Sequence, residues 1–76
     1  MKTYRVGEIV RMWREEAKLS RYEVAKRAGL STQVVDGIEE SQHTDRATLY
    51  TVRRVCAALG KSVADMCALL PPLEQK

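Results

Sequence analysis

The sequence predicts an all-α fold, one compact domain of five short helices. Apolar residues recur at steps of three and four along most of the chain. Strand-like alternation is scarce, and Phe is absent. Cap residues and glycine or proline stops cut the pattern into short segments. Residues 1–70 read as the domain and residues 71–76 as a tail.

The first helix is expected from Arg5 to Lys18, with Val6, Val10, Trp13 and Ala17 forming its buried stripe. Ile9 and Met12 widen that stripe; they either pack on the C-terminal helix or meet another chain. Ser20 and Glu23 make the capping box of a second helix, which runs to Ala28 with Val24, Ala25 and Ala28 inward. Gly29 stops it, because glycine enters the left-handed turn conformation without steric strain. Ser31 caps a third helix from Thr32 to Glu40, with Val34, Val35 and Ile38 as its apolar surface. The segment SQHTDRA is a loop. A fourth helix spans Thr48 to Leu59, with Leu49, Val52, Val55, Cys56 and Leu59 inward, and Gly60 ends it. Ser62 and Asp65 open a fifth helix that reaches Leu70 before Pro71 and Pro72.

Composition narrows the function. The 76 residues carry 13 Lys or Arg and 10 Asp or Glu, a net charge of +3. The positive excess lies in residues 1–38, and a basic half points to a polyanion partner. His43 is the only histidine, and there is no glycine-rich phosphate loop or clustered acid–base set. An enzyme, a metal site and a cofactor are therefore not expected. Cys56 and Cys67 fall on apolar helical faces without metal spacing. They read as reduced core thiols of a cytoplasmic protein. MKTYRVGE lacks the apolar stretch of a signal peptide, and no run is long enough for a membrane span. A chain this short buries only about 60–65% of its unfolded surface, so a very regular core, a staple or a partner is needed.

The informative stretch is SRYEVAKRAGLSTQVVDGIE, Ser20 to Glu39. Two short helices meet here at a tight corner. A small residue is required where they cross, and Ala25 supplies it. A turn residue tolerant of positive φ is required, and Gly29 supplies it. Apolar residues must face each other, and Val24, Leu30, Val35 and Ile38 do so. These are the demands of a helix-turn-helix.

At these residues the chain resembles the lambda-repressor/Cro-type helix-turn-helix regulators, the XRE family. VGEIVRMWREEAKLS is similar to the family's first helix, and LSRYEVAKRAGLSTQVVDGIE to its helix-turn-helix. LYTVRRVCAALGKSVADM is similar to its last two helices, so the likeness covers about Val6 to Met66. It implies a five-helix lambda-repressor-like domain of bacterial, phage or plasmid origin. The implied function is transcriptional regulation, most simply by a small dimeric repressor on a pseudo-palindromic DNA operator. The third helix then lies in the major groove. Its base readers are Thr32, Gln33, Asp36 and Gly37: Gln33 suits adenine, Thr32 a thymine methyl, and Asp36 the cytosine amino group. Gly37 either permits close approach or is simply tolerated. Backbone contacts fall to Ser20, Arg21, Ser31, Gln42, His43, Thr44 and Arg46. Lys26 and Arg27 are nearby and either join them or form a solvated face. Arg14 and Glu39 occupy the positions of the family's structural ion pair. Met66, Leu69, Leu70 and Leu73 are the leading dimer-interface residues, with Ile9 and Met12 next. Tyr4, Tyr22 and Tyr50 read as packing residues.

One feature opposes this reading. From Thr32 to Glu40 the only charges are Asp36, Glu39 and Glu40, all negative. The alternative is a helix-turn-helix fold used as a protein-interaction module, antitoxin-like or an adaptor, with weak or no DNA binding.

Overall fold

Helix boundaries follow the capping chemistry of the sequence. The computed structural model describes residues 4–40 and 48–71. Among them five helices follow in order: α1 (Val6–Glu16), α2 (Arg21–Ala28), α3 (Thr32–Glu40), α4 (Leu49–Ala58) and α5 (Val63–Cys67). The all-α expectation holds.

Arg5 precedes α1, and its backbone N–H donates to Glu8 Oε1 at 2.9 Å. The helix stops at Glu16, two residues before the expected end. Lys18 takes the left-handed conformation at φ 59°. Its N–H donates to the Glu15 carbonyl and that of Leu19 to the Arg14 carbonyl, both at 3.0 Å. These bonds satisfy the free carbonyls of the helix end. Ala17 is therefore a C-cap on the surface and not the fourth member of the buried stripe. The caps of α2, α4 and α5 use Ser20, Thr48 and Ser62, each accepting from the backbone N–H three residues on.

The core draws on all five helices. Ile9, Val10, Val24, Val35, Val55, Cys56 and Met66 are fully buried in it. α1 and α3 meet at Gly7. A Cβ there would overlap the Ile38 carbonyl oxygen and lie 3.1 Å from Glu39 Cα. Both obstacles are backbone, so only glycine lets the first turn of α1 approach α3 this closely.

The C-terminal end of α2 is pinned to α4. Arg54 Nε donates to the Ala28 carbonyl at 2.6 Å, and its Nη1 donates to the Tyr50 hydroxyl at 2.7 Å. The guanidinium also lies over the Tyr50 ring, 5.2 Å from its centroid. Gly29 sits under this arm at φ 71°, and a Cβ there would come 2.5 Å from Arg54 Nη2. Gly29 thus supplies both the left-handed turn and the space for the arginine.

Several expected core positions lie elsewhere. Leu49 is 66% exposed because the core reaches back along α4 only to Val52, leaving the first turn overhanging. Cys67 is exposed, whereas Cys56 is buried. Tyr22 and Tyr50 are exposed, and only Tyr4 packs against the core. α5 ends at Cys67, so Leu69 and Leu70 follow it in a turn, half-buried against the core.

Candidate nucleic-acid interface

The interface is built on the corner between α2 and α3. At its first end, Ser20 Oγ accepts from the Glu23 N–H at 3.0 Å, and Ser20 N–H donates to Glu23 Oε1 at 2.9 Å. This reciprocal box holds Glu23 below its ordinary pKa through the backbone hydrogen bond from Ser20. Gly29 then reverses the chain. Ser31 Oγ accepts from the Val34 N–H at 3.3 Å and starts α3.

The rotation of α3 is fixed by Val35 and Ile38, which are buried. Gln33 and Gly37 consequently face outward, with Val34 partly exposed beside them. Thr32 and Asp36 stand half-buried at the margin. A Cβ at Gly37 would meet nothing within 4 Å, so the outer surface of α3 is open there. A shallow groove of about 260 Å³ runs between α3 and the start of α4, lined by Gln33, Val34, Gly37, Ile38, Thr48 and Thr51.

Charge is arranged less simply than the sequence suggests. Arg14 Nε and Nη2 donate to the two oxygens of Glu39 at 2.7 and 3.1 Å, and Nη1 donates to the Leu19 carbonyl at 3.0 Å. The Glu39 side chain is fully buried, and that of Arg14 is 14% exposed. The hydrogen bond to Glu39, more than its charge alone, raises the Arg14 pKa against the opposing effect of burial. Arg14 and Glu39 thus form an ion pair that ties α1 to α3.

Arg21 joins the same network. Its Nε donates to Glu39 Oε1, and its Nη1 to Asp36 Oδ1 and Glu40 Oε2, each at 3.1 Å. The hydrogen bond to Asp36 is the largest influence raising its pKa. An arginine expected at a phosphate is therefore held by carboxylates of α3. Asp36, expected at a base, is engaged through one oxygen. Lys26, Arg27 and Arg53 are exposed and form no ion pair among the described residues.

Other site expectations divide. Gln42, His43, Thr44 and Arg46 lie outside the described residues, as does Leu73. Met66 is 1% exposed and Ile9 is fully buried, so neither offers surface to a second chain; both complete the core of this one. Leu69, Leu70 and Met12 are half-buried and pack against that core. Among the described residues no group of three or more His, Cys, Asp or Glu is placed to hold a metal ion. No helix of the described residues is long and apolar enough to cross a membrane.

Three features escaped sequence reasoning. Gly7 left a usable signal, an isolated glycine inside a helical pattern. Arg54 left a weaker one, its spacing of four from Tyr50. The reach of Arg21 to α3 left none, since it depends on how two helices cross.

A buried α2–α3 corner, with the outer face of α3 open to solvent, defines a helix-turn-helix protein. A family model described as "Helix-turn-helix" matches residues 10–66, about three quarters of the chain. The chain belongs to this family of lambda-repressor-type DNA-binding regulators. Among curated proteins no relative matches it.

Proposed function

We propose that the protein binds double-stranded DNA by laying α3 in the major groove and regulates transcription as a small repressor. The open outer face of α3 carries this reading. Gln33 presents a free amide, Thr32 stands beside it, and Gly37 leaves the helix backbone bare for close approach. Asp36 Oδ2 remains available to a cytosine amino group while Oδ1 holds Arg21. The Ser20 and Ser31 hydroxyls accept their capping bonds and keep a proton to donate to phosphate. Gln42, His43, Thr44 and Arg46 follow α3 in sequence and are proposed as further backbone contacts.

A dimer is part of the proposal. One recognition helix covers few base pairs, and paired helices read half-sites one turn apart. With Met66 and Ile9 inside the monomer, the remaining candidates are Leu69, Leu70 and Met12, joined by Leu73. Selection of bound duplexes from a random pool tests binding, motif and spacing together. The expected result is an inverted repeat with centres about 10 base pairs apart. A pool that shows no enrichment overturns the reading.

The three carboxylates of α3, all in contact with Arg21, favour a second reading as a protein-interaction module. Absence of any shift with random duplex at low salt supports that reading over the first.

A further inference from the structure

Arg21 lies in the first turn of α2, yet three of its five guanidinium N–H groups are taken by α3. α3 contains no Lys or Arg. Glu39 has Arg14 as a second cation, but Asp36 and Glu40 pair with Arg21 alone among the described residues. These carboxylates sit on the helix proposed to enter the groove. Charges of like sign repel across distances up to a Debye length, about 8–10 Å at physiological salt, and phosphates flank the groove well within that range. Moving Arg21 to a phosphate would gain one contact and leave Asp36 and Glu40 unpaired beside a polyanion.

We propose that Arg21 is a positioning residue for DNA binding, acting as a charge shield for Asp36 and Glu40 and not as a phosphate contact. The proposal rests on the reading of α3 as the DNA-binding helix. It assigns affinity to an interaction inside the protein: Arg21 works by keeping α3 electrically acceptable to the duplex. The side-chain exposures fit this role, with Arg21 at 32%, Asp36 at 39% and Glu40 at 66%. The cluster faces outward at the edge of the corner and is not sealed in the core.

The sign of one coupling decides between shield and contact. Affinity for the selected duplex is measured by fluorescence anisotropy for the wild-type chain, R21Q, E40Q and the R21Q/E40Q double variant. A shield makes the carboxylates harmful only when Arg21 is gone. E40Q then changes wild-type affinity less than about twofold but improves R21Q about threefold, part of the way back to the wild-type value. The slope of log K against log salt in R21Q stays within about 0.3 of wild type, since no phosphate contact is lost. A phosphate contact predicts the reverse. Loosening Arg21 from Glu40 would strengthen wild-type binding more than R21Q binding, and R21Q would lose about 0.9 from the slope. Equal gains in both backgrounds, or a larger gain in wild type, overturn the shield. The E40Q arm needs no change at Arg21, so it decides even if R21Q unfolds: a large gain in that arm also overturns the shield. A wild-type chain that binds no duplex overturns the underlying reading, and the shield falls with it. Binding with the wrong coupling overturns the shield alone.

Discussion

Arg14→Ala tests whether the ion pair between α1 and α3 holds the corner together. The truncation removes two hydrogen bonds to Glu39, at 2.7 and 3.1 Å, and one to the Leu19 carbonyl at 3.0 Å. It leaves a fully buried carboxylate with a single remaining cation, Arg21 Nε at 3.1 Å. Breaking a buried pair costs about 3–5 kcal/mol, mostly because one charge is stranded. Arg21 offsets part of this, so the expected loss is at the lower end, about 3 kcal/mol. A domain of this size has a total stability of about 4–11 kcal/mol. The melting temperature should fall by roughly 12–24 °C. Trp13 is the only tryptophan and is buried, so urea unfolding followed by its fluorescence reads the change directly. Adding Glu39→Gln to the variant removes the stranded charge and should restore about 1 kcal/mol. An Arg14→Ala protein within about 0.5 kcal/mol of wild type would show that the pair does not hold the corner, because that is the range of an ordinary surface change.

Two glycine-to-alanine changes should have opposite signs. Gly7→Ala puts a methyl group against the backbone of Ile38 and Glu39. It should destabilise by about 1–3 kcal/mol despite alanine's better helix propensity, as thermal melts will show. Gly37→Ala meets open space and should stabilise by about 0.8–1 kcal/mol, while weakening DNA binding if the duplex backbone approaches there. The thiols should react in two phases. Exposed Cys67 is modified at once by an aromatic disulfide reagent, and Cys56, whose pKa burial raises, only as fast as the chain unfolds. The capping carboxylates of Glu23 and Asp65 lie below their ordinary pKa values of 4.5 and 3.8. Their stabilisation is complete above those values and is lost as pH falls through the lowered folded ones. Unfolding curves across pH 2–5 should therefore show a falling acid limb that flattens in Glu23→Gln/Asp65→Asn.

Much of the fold was legible because local chemistry and periodicity agree. Ser20 with Glu23, and Ser62 with Asp65, are caps in the sequence and in the structure. Val24, Ala25, Val35 and Ile38 are inward because a tight corner leaves them no other place. The misses occur where a helix ends or overhangs. Lys18 terminates α1 in a conformation usually left to glycine, so Ala17 was read one turn too far. Leu49 keeps the right period but lies beyond the edge of the core. Met66 is legible only as a dimer-interface or core residue, because periodicity shows an apolar face without showing what covers it; in the fold it is core. The candidate site was legible as residue types on one helix. Its electrostatics were not, since the partners of Arg21 lie 15, 18 and 19 positions away.

Gln33 is the residue through which DNA reading by the outward face of α3 is tested. Wild type and Gln33→Ala are titrated by anisotropy against the selected duplex, its single-base variants and a scrambled duplex. Wild type should prefer the selected duplex. Gln33→Ala should lose about 1–3 kcal/mol of discrimination at one base position and bind the scrambled duplex as before. Equal losses on selected and scrambled duplex, or no duplex binding by the wild-type chain, would contradict DNA reading by this face.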